Sequence, residues 1–307
     1  VQDGKVTEFL PPRAGVSLEQ TRTIRLIQDN LTQRMSDPAS GGVIELPVKI
    51  TKPLSENIQG FQGITELIGK ATTRFTGSPA NRISNIKNGV KFLTGIMIQP
   101  GEEFSTLQTL GTVDNTTGYL PELVIKGNRT IPEFGGGLCQ VSTTLFRAIM
   151  NAGLPVTQRR NHAFRVSYYE WDGDGKFIGP GLDATIYSPE PDLRFKNDTA
   201  TAILIYGYVK GDQVTFELYG TSDGRTSEVK GPVLLSETPA GDPIYESTDL
   251  LPKGVTKQVE TAHPGGVAVA TYIITHPDGN VTTKEFKSSY RRWPARYLVG
   301  TGEETQP

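Results

Sequence analysis

The chain has 307 residues, which is long enough for two or three domains with ordinary cores. Hydrophobic residues make up 36% and charged residues 21%, a composition that excludes an intrinsically disordered chain and favours a soluble globular protein. With 31 basic against 33 acidic residues, the net charge is −2, so there is no electrostatic reason to expect a nucleic acid partner.

Membrane, metal and disulfide signals are weak in this sequence. No run approaches the ~20 apolar residues of a membrane helix, so no transmembrane segment is predicted. The first residue is valine, which indicates a mature or truncated chain from which an export signal or anchor was removed. The histidines at 162, 263 and 276 show no ligand spacing, so neither a metal nor a cofactor is predicted. The single cysteine, Cys139, excludes an intrachain disulfide.

Residues 1–52 are predicted to form a strand, a helix and a strand. Residues 5–10 alternate in polarity, residues 16–35 carry apolar side chains at helical spacing, and residues 43–50 form an apolar run that ends before a proline. Residues 53–63 are rich in glycine and polar side chains, which is typical of a linker.

Residues 64–220 are predicted to form an α+β domain. One helix is expected at 82–94, and a second follows Cys139, with apolar residues such as Val141 and Leu145 on one face. Strands are predicted at 164–169, 183–187, 202–210 and 213–219, the last two joined in a hairpin by Gly211–Asp212. The cysteine-bearing helix is therefore expected to pack on antiparallel strands.

The remainder of the chain is predicted to be entirely β. Residues 221–230 are polar and are expected to be a linker, and residues 231–302 are expected to fold separately. The runs at 255–260, 267–275 and 281–286 predict an elongated three-stranded meander with a thin core.

Several motifs within residues 64–200 resemble the VanW family, which is named from a vancomycin-resistance cluster. The most specific is the string GGGLCQVSTTL at residues 135–145. The others are Asn85–Ile86, Pro100–Gly101–Glu102 with Phe104–Ser105, Gly118–Tyr119, Arg160 with His162, and Gly181–Leu182–Asp183–Ala184–Thr185. The resemblance implies a bacterial protein of the cell wall, but it brings no catalytic role with it.

The flanking regions resemble two further domains. Residues 1–52 resemble the end of the peptidoglycan-binding domain that often precedes a VanW domain. Residues 231–302 resemble a G5 domain, on the strength of the stretches 251–254 (LPKG) and 297–301 (YLVGT). G5 domains are extended β modules of extracellular proteins associated with N-acetylglucosamine-type sugars. These resemblances imply an extracellular protein whose partner is peptidoglycan or a wall glycan.

Cys139, His162 and Asp183 are the candidate catalytic residues. A helix N-terminus favours the thiolate form of a cysteine, and Gly136 and Gly137 would let the backbone approach a substrate and donate N–H groups. His162 and Asp183 are predicted at the starts of successive strands. That order, helical Cys followed by His and Asp, is also found in transglutaminase-like and NlpC/P60-like enzymes. The alternative is that Cys139 is an inert core residue.

Two other sets of side chains are candidate binding groups. Gln140 could contribute an amide to an oxyanion hole, and Arg160 could bind a substrate carboxylate, although a surface position is the alternative for each. Tyr272, Tyr290 and Trp293 could present exposed rings to a sugar, or could pack against one another.

Two functions are therefore predicted as alternatives. The first is a cysteine enzyme, a peptidase or a transglutaminase-like acyl transferase, that acts on amide or ester bonds of peptidoglycan peptides. The second is a non-catalytic protein that binds peptidoglycan through its VanW-like and G5-like modules. The geometry of Cys139 relative to His162 distinguishes the two.

Overall fold

A computed structural model of the protein describes residues 15–37, 45, 47–51, 64–126 and 129–302. The strand predicted at 5–10 and the linker predicted at 53–63 lie outside the described residues. The helices are α1 (Gln20–Ser36), α2 (Ala80–Leu93), α3 (Thr106–Leu110) and α4 (Leu138–Asn151). In the part of the chain that the structure describes, no helix combines the length and apolar character that crossing a membrane requires.

The strands of the described residues belong to several mostly antiparallel sheets, so the α+β class is confirmed. In chain order they are β1 (Gly15–Leu18), β2 (Val48–Thr51), β3 (Glu66–Arg74), β4 (Met97–Ile98), β5 (Glu103–Ser105), β6 (Pro121–Lys126), β7 (Arg129–Phe134), β8 (Val156–Gln158), β9 (Arg194–Lys196), β10 (Ile203–Lys210), β11 (Gln213–Gly220), β12 (Thr226–Thr238), β13 (Ile244–Pro252), β14 (Thr256–Glu260), β15 (Gly265–Thr275), β16 (Val281–Tyr290) and β17 (Arg296–Gly302).

In the N-terminal part, β1 and β2 form a small antiparallel pair. In the sequence, α1 lies between these two strands. The first residues of the helix predicted at 16–35 belong to β1 instead, and α1 begins at Gln20. Of the strand predicted at 43–50, residues 48–50 fall in β2, and residues 43, 44 and 46 lie outside the described residues.

The central sheet has the strand order β3-β11-β10-β4 and is antiparallel throughout. The predicted hairpin is confirmed, since Lys210 pairs with Gln213 across a two-residue turn in which Gly211 has a φ of 60°. Helix α4 packs closely on β3, where a Cβ atom on Gly69 would stand only 2.6 Å from the carbonyl oxygen of Ala148. Glycine at position 69 thus lets the helix approach the strand.

Helix α4 is buried from Gln140 to Met150 because it has protein on both sides. One side faces the central sheet, where Thr144 and Thr73 share a hydrogen bond of 2.7 Å. The other side faces the C-terminal sheet, where the Phe146 ring packs edge-on against Phe286 with centroids 5.2 Å apart. Helix α4 is therefore enclosed on two faces.

The C-terminal region contains two three-stranded sheets, β12-β15-β16 and β13-β17-β14. The predicted meander is therefore wrong in one strand, because β14 pairs with β17 while β12 occupies the place beside β15. Part of the linker predicted at 221–230 also belongs to β12, since residues 226–230 pair with residues 271–275. Strand β13 runs parallel to β17.

One hydrophobic core extends across the boundary that the sequence predicted. Tyr272, Ile274 and Phe286 of the C-terminal sheet belong to the same buried cluster as Phe146 and Leu154 of the central domain. The Tyr272 hydroxyl also donates a hydrogen bond of 3.0 Å to the carbonyl oxygen of Leu154. The C-terminal sheet therefore covers apolar surface that the central domain would otherwise expose to water.

Two strands predicted near the candidate site are replaced by other structure. Residues 167–170 of the strand predicted at 164–169 form a 3-10 helix, Ser167–Glu170. Residues 183–187 are extended but belong to no named strand, and the Thr185 amide donates a single hydrogen bond of 2.8 Å to Arg160. The arrangement of His and Asp on successive strands, expected for a transglutaminase-like or NlpC-like fold, is not present.

Candidate functional site

Cys139 lies in the first turn of α4, which begins one residue earlier than the cysteine. The N-cap residue is Gly137, with a φ of 116°, and Gly135 has a φ of 82°. Positive φ values are costly for residues with a side chain, which explains glycine at both positions. The cysteine itself is partly exposed.

The glycine loop before Cys139 is held by the buried side chain of Asn85. Its Nδ2 atom donates to the carbonyl oxygens of Leu120 and Gly136, at 2.9 and 3.1 Å, and its Oδ1 accepts from the Leu120 amide at 2.8 Å. A Cβ atom on Gly136 would lie 2.8 Å from Glu122, and one on Gly137 would lie 3.0 Å from Ile86. Packing therefore accounts for both glycines, and the substrate-binding role predicted for them has no support in these contacts.

We expect Gly137→Ala to destabilise the fold by about 2 to 4 kcal/mol, because it combines a left-handed backbone with close contacts. Gly175→Ala is the matched control, since Gly175 has a φ of 84° but nothing within 4 Å of an added Cβ. Chemical denaturation of both variants measures the difference. Equal free energies of unfolding for the two variants would show that the loop packing contributes little.

The His162 imidazole is oriented by Asp183. Its Nδ1 lies 2.6 Å from Oδ2 of Asp183, and the same oxygen accepts the backbone N–H of His162 at 2.6 Å. Only 11% of the His162 side chain and 5% of the Asp183 side chain are exposed, so water competes weakly for these hydrogen bonds. The hydrogen bond to Asp183 engages Nδ1, which leaves Nε2 as the ring nitrogen for another partner.

The Asp183 carboxylate receives further donors on its other oxygen. Oδ1 accepts from the Arg159 guanidinium at 3.3 Å and from the Tyr290 hydroxyl at 2.5 Å. Burial raises the pKa of Asp183, but the hydrogen bonds and charge of His162, together with the charge of Arg159, hold this pKa well below its usual range. Asp183 is therefore a permanently charged partner for His162 at neutral pH.

Cys139 and His162 perturb each other's titration. Burial raises the pKa of the Cys139 thiol, but the positive charge of the nearby His162 imidazole outweighs it and brings this pKa to about 7. Burial lowers the pKa of His162, but its hydrogen bond to Asp183 and the negative charges of Cys139 and Asp183 raise it to about 10. Between these two values the pair is a thiolate and an imidazolium, the reactive form of a cysteine nucleophile.

Two other groups contact the sulfur of Cys139. The Thr185 hydroxyl is 3.3 Å from Sγ, and the carbonyl oxygen of Ile186 is 3.6 Å from it. The segment that carries them is tied to α4, because the Ala184 amide donates to Thr143 Oγ1 at 3.0 Å. The sulfur is therefore held between its own helix and the extended segment after Asp183.

Tyr169 packs against His162, and Arg147 binds the backbone of the segment that carries Tyr169. The Tyr169 ring lies 5.1 Å from the imidazole, tilted by 30°. The buried guanidinium of Arg147 donates to three carbonyl oxygens, those of Leu182, Trp171 and Tyr169. Because Arg147 belongs to α4, it joins the helix to both of the irregular segments that surround the site.

Gln140 and Arg160, two residues predicted to bind the substrate, make other contacts or lie at the surface. Gln140 is fully buried, and its amide nitrogen donates to Thr73 Oγ1 and to the carbonyl oxygen of Arg74, at 3.1 and 2.7 Å. The oxyanion role predicted for Gln140 is therefore wrong, because both amide hydrogens are in use. Arg160 is exposed at the surface. Its neighbour Arg159 is the arginine of the site.

The aromatic residues predicted as an exposed sugar platform are all buried. Tyr272, Tyr290 and Trp293 expose 1, 7 and 6% of their surfaces, so the expectation of exposed rings is wrong. Trp293 packs edge-on against Phe164 with centroids 4.3 Å apart. Tyr290 instead reaches Asp183, a contact between residues 107 positions apart in the chain that no local pattern indicates.

Arg159 and Thr185 were also missed by the sequence analysis. Arg159 adjoins one quoted motif and Thr185 ends another, but neither was nominated as a site residue, because alternation along a chain does not reveal which neighbour faces inward. The guanidinium of Arg159 donates to the carbonyl oxygens of Asp183 and Gly181 at 2.6 and 2.9 Å, and to Ser288 Oγ at 2.9 Å.

Comparison with known proteins identifies the domain that holds this site. Residues 81–219 match the family model described as VanW like protein. Over 157 residues the chain is 34% identical to the uncharacterized protein YoaR of Bacillus subtilis (strain 168), covering 51% of this chain and 49% of that protein. Over 159 residues it is 30% identical to the vancomycin B-type resistance protein VanW of Enterococcus faecalis (strain ATCC 700802 / V583), covering 49% and 56%.

These matches confirm the VanW-like domain, and the matched residues include Cys139, His162 and Asp183. The chain spans about half the length of the curated relatives it matches. The G5-like and peptidoglycan-binding resemblances stay predictions.

Proposed function

We propose that this protein is a cysteine enzyme that acts outside the cell on amide or ester bonds of peptidoglycan peptides, by hydrolysis or acyl transfer. The observation that carries the proposal is the buried His162–Asp183 pair, with Nδ1 2.6 Å from Oδ2, together with Cys139 in the first turn of α4. The charge of His162 lowers the pKa of the Cys139 thiol, which favours the thiolate. In this role Cys139 and His162 are catalytic residues, and Asp183 positions the imidazole.

The reaction follows from the charges of the pair. The Cys139 thiolate attacks the carbonyl carbon of the substrate and forms a C–S bond, and the imidazolium of His162 gives its proton to the departing amine or alcohol as the C–N or C–O bond breaks. Water or an acceptor amine then attacks the thioester, the neutral imidazole takes its proton, and the thiolate leaves. Asp183 orients the imidazole throughout and stabilises the imidazolium before acylation and after the second proton transfer.

Access to the sulfur is consistent with this chemistry. Cys139 is partly exposed. Tyr168, which precedes Tyr169, exposes 46% of its surface, and Tyr187, which follows Ile186, exposes 51%. Exposed rings of this kind provide contact area for a peptide or a sugar.

Two considerations support a wall substrate and an extracellular location. The Enterococcus faecalis relative is named as a vancomycin B-type resistance protein, and this chain is similar to it over the domain that holds the site. The C-terminal region resembles G5 modules, which are extracellular and associated with wall sugars. Peptidoglycan or a wall glycan is therefore the proposed partner.

Incubation of the full chain with purified peptidoglycan tests the proposal, with the released fragments analysed by mass spectrometry. We expect new peptide termini or new cross-links, and a thioester on Cys139 that hydroxylamine removes. Cys139→Ala is the control and should yield neither.

Products that persist with Cys139→Ala would exclude the nucleophile. If the wild-type protein co-sediments with peptidoglycan but no product and no thioester form, the non-catalytic binding function replaces the enzyme.

A further inference from the structure

The C-terminal sheet contributes side chains to the Cys139 site. Strand β16 carries Tyr290, whose hydroxyl donates to Oδ1 of Asp183 at 2.5 Å, and Ser288, whose hydroxyl accepts from Arg159 at 2.9 Å. Tyr290 is 7% exposed and Ser288 is fully buried. These contacts connect β16, an edge strand of the C-terminal sheet, to the Asp183 carboxylate that orients His162.

The contacts made by Tyr290 are specific rather than incidental. The carboxylate has two oxygens with different tasks, since Oδ2 accepts both donors of His162 while Oδ1 accepts Arg159 and Tyr290. The two donors on Oδ1 therefore help to hold the carboxyl group in the orientation that presents Oδ2 to His162. Burial and the charge of Asp183 raise the pKa of Tyr290, so its hydroxyl stays protonated and donates.

We propose that Tyr290 is a positioning residue of the site: its hydroxyl fixes the Asp183 carboxylate so that Oδ2 faces His162, and the C-terminal sheet thereby completes the catalytic centre. This inference rests on the proposed function. It assigns to the C-terminal sheet a part in the reaction, in addition to the partner binding that a G5-like module would supply.

Tyr290→Phe removes the hydroxyl and keeps the ring. Two effects then compete at Asp183, which stays surrounded by Arg159, His162 and the buried guanidinium of Arg147. Loss of a donor alone would leave more negative charge on Oδ2, hold the imidazolium more firmly and make Cys139 more acidic. Loss of positioning turns Oδ2 away from His162 and makes Cys139 less acidic. The two roles thus predict opposite shifts.

The experiment measures the rate of alkylation of Cys139 by iodoacetamide against pH in the full chain. We expect Tyr290→Phe to move the profile upward and to lower the rate at about pH 6.5 by about 3- to 10-fold. Tyr272→Phe is the matched control, because Tyr272 is equally buried in the same sheet but donates to Leu154, away from the carboxylate. That variant should leave the profile unchanged.

The outcomes separate this inference from the proposed function. A wild-type profile that does not respond to His162→Ala would overturn the proposed function itself. A wild-type profile that responds to His162→Ala, combined with a Tyr290→Phe profile that is unchanged or shifted downward, would overturn the positioning role alone. Equal shifts for Tyr290→Phe and Tyr272→Phe would also overturn it, because they would show a general loosening of the sheet.

Discussion

Replacing His162 with alanine is expected to slow the alkylation of Cys139 by at least about 10-fold at about pH 6.5. In the wild-type protein the thiol pKa is about 7, so a substantial fraction is thiolate at that pH. Without the imidazolium, burial raises the thiol pKa and the remaining contacts, such as that with Thr185, oppose it only in part, so the thiolate becomes scarce. The greater nucleophilicity of a more basic thiolate recovers part of the loss, which is why the expected factor is modest.

The pH dependence of the same reaction gives a second signature. The wild-type rate should rise as the pH passes about 7, where the thiolate forms, and should change again near 10, where His162 loses its proton. Asp183→Asn should shift the first step upward by less than His162→Ala does, because the imidazole stays next to the sulfur.

His276→Ala is the matched control for the loss of a histidine. His276 lies at an exposed turn, where its ring contacts Thr282. Its removal should leave the alkylation profile unchanged. Cys139 would be a structural thiol if it reacted only after the protein was denatured, both with histidine and with alanine at position 162.

Removing residues 223–302 is expected to abolish cooperative unfolding of the remaining chain. The deletion uncovers Phe146 and Leu154, which share their core with Tyr272 and Phe286, and hydrophobic surface of this extent is poorly tolerated in water. Arg159 and Asp183 also lose their hydrogen-bond partners on β16. Thermal melting followed by near-UV circular dichroism measures the effect.

Point variants on β16 provide the control for this deletion. Phe286→Ala, at a position only 4% exposed, should destabilise the whole chain by about 3 to 5 kcal/mol in a single transition. Val281→Ala, at a position 60% exposed on the same strand, should cost less than about 0.5 kcal/mol. A shortened chain that melts cooperatively near the temperature of the full chain would show that the central domain is independent after all.

Features that depend on neighbouring residues could be predicted from the sequence. Apolar periodicity located α2 and α4 to within a few residues, and Gly211–Asp212 located the turn of the β10–β11 hairpin. The order of Cys139, His162 and Asp183 nominated three residues, of which the structure brings His162 and Asp183 into hydrogen-bond contact. Each of these signals is carried by a short stretch of chain, in which spacing and turn chemistry set the local conformation.

Only the tertiary structure decided how those pieces are assembled. Arg160 was nominated but Arg159 faces inward, because the direction of a side chain on an extended segment is set by what packs against it. Tyr290 was expected on the surface, but its hydroxyl binds Asp183. Strand β14 was expected beside β15, but it pairs with β17. Pairing between distant strands depends on which surfaces bury the most apolar area together, and no local period of the sequence records that choice.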